Sequence, residues 1–282
     1  MPILPFDWSD LDLVKINNQH HEAVVSLEGG QLLSWKIKNN NKDSEGDNNL
    51  KEILYHGTTI SRTGIPILFP FADSLEKGIY RHTDWPIARH GFGRDLTWTL
   101  DSLTDDEVII VLTHKDLSDE LQQAYPFQFK VYLIMDFNQP KTLSYTIKVE
   151  NLGVDIMAIA PGLHPYLKIS DNDKASLKIG GLKDFDATKL NWTTKMEGGL
   201  YYDYKGTARI VTDKYSLDIQ DKSPNYLNNF QQLVVWSQPA TMNDSNFVCI
   251  EPFTRSINGI NDDPILINSR EVWNGILEFK VT

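Results

Sequence analysis

Residues 127–137 divide with a period of two into an apolar set and a more polar one. Phe127, Phe129, Val131, Leu133, Met135 and Phe137 fall on one side, and Gln128, Lys130, Tyr132, Ile134 and Asp136 on the other. A cleaner split follows over residues 143–150, with Leu143, Tyr145, Ile147 and Val149 against Ser144, Thr146, Lys148 and Glu150. A period of two marks an extended strand with one wet face, because successive side chains point to opposite sides of a sheet; a helix would mix the two sets. Gln139-Pro140-Lys141, between the runs, predicts a hairpin turn. The same reasoning predicts strands over residues 22–27, 31–38, 107–114, 175–179, 215–220, 231–237, 247–253 and 275–282.

Helical periodicity is scarce. Residues 116–124 predict one short helix, with Asp116 or Ser118 as N-cap and Pro126 beyond its end. Residues 39–49 form an Asn-rich polar run that reads as a hairpin tip. Strands continue to the last residue without a linker or a shift in composition, so residues 1–282 read as a single domain. No internal repeat points to a propeller or solenoid. Many strands without alternating helices leave an all-β fold, a large antiparallel sandwich or barrel with few short helices.

A chain of 282 residues can bury a large core. Lys plus Arg total 27 against 38 Asp plus Glu, a net charge of −11. That balance repels phosphate backbones and anionic lipid, which argues against nucleic-acid and membrane partners and toward a neutral small molecule. Cys249 is the only cysteine, so no internal disulfide can form. The first residues lack a signal-peptide pattern and no apolar run is long enough to span a bilayer, so a cytoplasmic location is expected.

Candidate chemistry sits in Arg89-His90-Gly91-Phe92-Gly93-Arg94-Asp95, Ala160-Pro161-Gly162-Leu163-His164-Pro165-Tyr166 and Cys249-Ile250-Glu251-Pro252-Phe253-Thr254. Each places an ionisable group among Gly, Pro and aromatic residues beside a predicted strand. Two histidines and a glutamate can supply a proton acceptor, a donor and a hydrogen-bond partner near neutral pH. If residues 247–253 are extended, Phe247, Cys249, Glu251 and Phe253 share a face. Glu251 then emerges among apolar neighbours, and desolvation raises its pKa. Gly162, His164 and Tyr166 would share a face likewise, with Gly162 giving a ligand close access.

These islands carry a resemblance. Gly64-Ile65-Pro66-Ile67-Leu68-Phe69-Pro70 followed by His90-Gly91-Phe92-Gly93-Arg94-Asp95 resembles a signature of aldose 1-epimerase-like (galactose mutarotase-related) proteins, as do Gly162-Leu163-His164-Pro165-Tyr166, Val235-Trp236-Ser237 and residues 247–254. The resemblance implies an antiparallel β-supersandwich with a concave sugar site and a cofactor-free isomerase that interconverts the α and β anomers of a free aldose such as galactose or glucose. It implies Glu251 as general base, His164 as general acid and His90 as a sugar contact. Asp73, Arg62, Arg94 and Trp236 are further substrate-binding candidates, and the protein is expected as a monomer or homodimer. Two departures stand out: Ser74 occupies the place of an arginine that contacts sugar in relatives, and Phe253 that of a tryptophan.

Other readings compete. Arg62, just before Thr63-Gly64-Ile65-Pro66, resembles the hexose-6-phosphate mutarotase branch, where a phosphate would need Arg62 and Arg94 to converge. Ser74 leaves room for a carbohydrate-binding protein without turnover. Trp236 could stack on a sugar face, but a strand tryptophan is more often core; Arg62 and Arg94 could equally pair with carboxylates of the fold; Cys249 reads as a small buried hydrophobe, and His20-His21 and His82 as surface or turn residues. Two histidines and a carboxylate can bind non-haem iron, but no close His-x-His/Asp pair is present, so no metal is expected.

Overall fold

Residues 6–38, 50–86, 89–196, 198–224 and 229–282 are described by a computed structural model. The polar run at 39–49 and the first five residues lie outside the described residues. The predicted hairpin forms: Phe129–Asp136 and Thr142–Asn151 pair antiparallel in unbroken register, from Phe129 opposite Asn151 to Asp136 opposite Ser144. Phe129, Val131, Leu133 and Met135 are fully buried, and the residues between them are half-buried. The hairpin lies within an eight-stranded sheet. Glu107–Thr113 and Thr99–Leu103 extend it on one side. On the other side follow Val272–Val281, Ser216–Asp221, Thr207–Val211 and Lys178–Gly180.

A six-stranded sheet faces the same core. Its spine is Phe247–Phe253, flanked by Gln232–Trp236 and then Leu200–Asp203. On the other edge Gly162–Leu163 and Tyr166–Lys168 both pair with the spine, and Ile67–Leu68 closes the row. The spine is buried at every position, which removes the alternation a one-sided strand shows. Val248 and Ile250 join the main core, while Phe247 and Cys249 pack with Tyr166, and Phe253 packs with Leu68, Ala72 and Val234. Each Leu, Ile or Phe so buried contributes about 1.5–3 kcal/mol. The main core draws residues from Val14 to Val281. A third sheet, Leu13–Asn17, His21–Ser26, Gln31–Lys38 and Leu50–Glu52, completes the sandwich.

Three expectations are corrected. His21 is not a surface residue: it is fully buried, with Nδ1 accepting from the Trp35 indole and Nε2 against the Gln139 carbonyl. Residues 175–179 do not form one strand, because Asp171–Ser176 is a 3-10 turn and Lys178–Gly180 alone is extended. The fully buried Lys174 holds that turn through Asp171 and the carbonyls of Gln238 and Ser245. The helix begins later than residue 116, at Asp119–Ala124, with Ser118, one of the two N-caps expected, capping the Leu121 amide; Asp116 instead closes a preceding 3-10 turn, His114–Asp116. Among the described residues the remaining α-helix is Gly259–Asp262, and no helix is long and apolar enough to cross a membrane.

Candidate active site

Strand pairing brings two of the three islands together. Gly162 pairs with Phe253 and Tyr166 with Cys249, so the chain between them crosses the spine beside Glu251. The pairing is interrupted at His164-Pro165, where the His164 amide donates to Pro66 and the Ile250 amide to Pro165. His164 thereby faces the strand, with its Nε2 3.4 Å from Glu251 Oε1. Its ring stacks on Tyr166 at 4.7 Å and 14°, and Trp236 stands edge-on at 6.4 Å. The shared face expected for His164 and Tyr166 is present. Gly162 serves packing and not ligand access: a Cβ there would meet the Phe253 ring at 2.7 Å and the Ala72 Cβ at 3.1 Å.

The third island arrives through an unusual backbone. Asp73 and His90 both adopt left-handed conformations, with φ of 62° and 66°. The His90 amide donates to the Asp73 carbonyl at 2.6 Å, and the Asp73 amide donates to His90 Nδ1 at 2.9 Å. Gly91 follows with φ 66°, and a Cβ there would fall 2.1 Å from the Phe69 carbonyl oxygen. That approach lets the amides of Phe92 and Gly93 both reach the same oxygen. The His90 ring then lies 5.6 Å from His164, edge to face.

A backbone amide can only donate, so His90 Nδ1 carries no proton and Nε2–H is its donor. Burial, followed by the charges of His164, Arg94 and Arg89, holds the His90 pKa well below 6.5. His90 is thus a neutral hydrogen-bond donor, and adding a proton at Nδ1 would break the bond to Asp73. This leaves His164 as the histidine able to exchange a proton.

A cavity of about 310 Å³ opens over these groups. Asp73, Arg89, His90, Arg94, His164, Tyr166, Lys195, Tyr201, Trp236 and Glu251 line it. Burial lowers the His164 pKa to about 3, with Arg94 adding to the effect. Burial also raises Glu251 well above 4.5; the Asp73 charge raises it further, while Arg89 and Arg94 oppose. Both shifts disfavour the charged forms, which favours a proton on the Glu251 carboxyl beside a neutral His164 imidazole. A larger open groove, about 680 Å³, is lined by residues of the 76–82 segment and by Phe127, Ile156 and Leu266. It holds none of the candidate groups.

Ligating atoms of His164, Cys249 and Glu251 lie within 4.8 Å of one another. Burial and the Glu251 charge drive the Cys249 thiol far above its usual pKa, which works against the thiolate a metal would need.

Of the residues predicted from sequence, Glu251, His164, His90, Asp73, Arg94 and Trp236 line one cavity, and Arg62 does not. Arg62 is drawn away by Asp244 at 3.8 Å and by Gln238, whose amide oxygen, suitably oriented, accepts from it at 2.8 and 2.9 Å. Arg62 and Arg94 therefore do not converge on the cavity. Reasoning from sequence missed Arg89, Lys195 and Tyr201. Arg89 Nε lies 3.8 Å from Asp73 Oδ1, and the Tyr201 hydroxyl donates to Asp73 Oδ2. The adjacency of Arg89 to His90 was the available signal for the first; nothing local marks the other two.

Comparison with known proteins bears on the family and the fold. The family model described as aldose 1-epimerase matches residues 12–280. Two curated relatives, from Salmonella typhimurium and Escherichia coli, are each named "Putative glucose-6-phosphate 1-epimerase" and are 30% identical over 184 residues. That match covers 64% of this chain and spans only 56% of each relative's length. The Slr1438 protein from Synechocystis superposes with a TM-score of 0.76 at 20% identity, covering 99% of this chain and 97% of that one. A galactose mutarotase related enzyme from Lactobacillus acidophilus gives 0.73 at 18% identity, covering 96% and 97%.

Proposed function

Since the chain belongs to the aldose 1-epimerase family, an isomerase family acting on sugars, we propose that it interconverts the anomers of a free aldose such as glucose or galactose, with Glu251 as base and His164 as acid. The observation that carries this reading is the 3.4 Å contact between the two groups at the floor of a cavity of sugar size. Ring opening needs a proton to leave the anomeric hydroxyl while another reaches the ring oxygen. Glu251 carboxylate takes the first from O1, the C1–O5 bond breaks as C1=O1 forms, and His164 imidazolium delivers the second to O5. The open aldehyde rotates about C1–C2 and closes with the proton flow reversed, giving the other anomer.

The electrostatics of the pair make the carboxylate–imidazolium form the uphill one, so forming it costs what the transfer then returns. Ring opening begins from the carboxylate–imidazolium form of the pair and ends at the neutral form, which burial prefers. The reactive form differs from the resting one by one proton passed between the two side chains, so no outside acid or base is required. His90 Nε2–H supplies a fixed neutral donor, and Trp236 and Tyr166 supply apolar faces that shed water from the ring. No step calls on a cofactor.

A second reading, a hexose 6-phosphate as substrate, is favoured by the names of the curated relatives and by the cationic groups Arg89, Arg94 and Lys195 on the cavity wall. Polarimetry on freshly dissolved α-glucose, α-galactose and glucose 6-phosphate tests both. Faster equilibration of a free sugar supports the first reading, and acceleration confined to the phosphorylated sugar supports the second. Binding without acceleration of any of them refutes both.

A further inference from the structure

Arg89 has no role in the proton transfer just described, yet its surroundings are specific. It is the residue before His90, whose amide and ring are tied to the backbone carbonyl and amide of Asp73, so the chain at 89 is held beside that residue. Its Nε stands 3.8 Å from Asp73 Oδ1, too far for a hydrogen bond, and among the described residues no acceptor lies within hydrogen-bond reach of it. The side chain is half open, at 53% exposure, and borders the cavity. Its planar fork of N–H donors is aligned by charge but not consumed.

Asp73 is the opposite case. It is 5% exposed, its Oδ2 accepts from Tyr201 and its Oδ1 from the Ser74 hydroxyl at 3.2 Å. A carboxylate has about four acceptor positions, so these two bonds orient the group and leave room for more. The Ser74 side chain is spent on Asp73, so the guanidinium in this corner comes from residue 89 and not from 74. A free donor fork beside an anchored acceptor matches two neighbouring hydroxyls of a sugar ring. One hydroxyl donates to the carboxylate while it and its neighbour accept from the guanidinium.

We propose that Arg89, acting side by side with Asp73, is the sugar-positioning residue of this cavity and holds a vicinal pair of ring hydroxyls. The proposal rests on the mutarotase reading for its kinetics but not for its binding. The test uses the full chain and its Arg89→Ala and Arg89→Lys variants, with glucose and its 2-, 3-, 4- and 6-deoxy forms. Removing charged hydrogen bonds to a neutral ligand should raise KM for glucose roughly 10- to 100-fold in Arg89→Ala, with kcat held within about threefold. Arg89→Lys should fall between the two, because an ammonium keeps the charge without the fork. On the deoxy sugar that lacks a held hydroxyl, the penalty of Arg89→Ala should shrink to within about threefold.

Thermal melts should be unchanged, as expected for a half-exposed side chain without hydrogen bonds. An Arg89→Ala protein with wild-type KM on glucose overturns the proposal, and so does a penalty equal on every deoxy sugar. If the wild-type protein accelerates no sugar, the mutarotase reading fails on its own. Calorimetric titration of glucose then decides about Arg89: weaker binding by Arg89→Ala upholds it, and equal affinity overturns it.

Discussion

Replacing Glu251 with Gln tests the proton inventory of the His164–Glu251 pair through two independent readouts. In the folded protein burial disfavours both charged forms of the pair, which favours one exchangeable proton held on the carboxyl. In the unfolded chain, with ordinary values of 4.5 and 6.5, the pair also holds one proton between those two pH values. In that window the raised Glu251 and the lowered His164 act on stability in opposite directions, so their pH dependences oppose each other. Below pH 4.5 the unfolded pair takes a second proton that folded His164 refuses until about pH 3, so stability is lost as pH falls. As pH rises toward the raised Glu251 value, the folded carboxyl keeps a proton that the unfolded one has lost, so stability is lost on that side as well. Each slope approaches about 1.4 kcal/mol per pH unit, the value for one proton.

Glu251→Gln keeps the shape and removes the titration. With His164 alone, the variant should gain stability as pH rises through 6.5 and then level off, where the wild type declines. Urea unfolding of both proteins from pH 5 to 8.5 measures the difference. Polarimetry should show a loss of about 10²–10⁴ in rate, the usual contribution of a general base. A folded Glu251→Gln protein with full activity refutes the catalytic assignment. Stability profiles that stay parallel above pH 6.5 refute the account of the pair.

Three further outcomes are expected. His164→Gln should lower kcat by about 10²–10⁴ while glucose still binds by calorimetry, and retained kcat would reassign the acid. Asp73→Asn removes the charge that raises Glu251, so the limb of kcat/KM that follows Glu251 deprotonation should move to lower pH; an unmoved limb contradicts the coupling. Gly91→Ala forces a methyl group to within 2.1 Å of a backbone oxygen at φ 66°. A loss of about 2 kcal/mol or more should appear in chemical denaturation, and wild-type stability would show that the turn can relax.

The long one-sided strands were legible because alternation survives wherever one sheet face is half-exposed. Phe129–Asp136 and Thr142–Asn151 appear within two residues of their predicted ends. Segments such as Ile67–Leu68 and Gly162–Leu163 were not, since two residues carry no period and their extended state is imposed by partners far along the chain. The ionisable islands converged because each bears a Gly or Pro where the chain must turn or approach closely. Arg62 misled for the converse reason: its neighbours along the chain suggested a sugar-site position, but Asp244 and Gln238, which claim it, are remote in sequence. Tyr201 was missed because its meaning lies wholly in Asp73, on another strand's connecting loop.

The two bonds that tie Asp73 to His90 also close the chain between them into a separate excursion, which leaves and returns at one point. Its hairpin, Ile79–Tyr80 paired with Thr83–Asp84, is nonetheless anchored in the core, because the buried Tyr80 packs on Trp85 and Tyr125, so exchanging the whole of it would disturb that packing. The exposed turn at Arg81 to Asp84 is the part a designer could extend with a tag or a recognition element while leaving the buried Tyr80 and Trp85 in place.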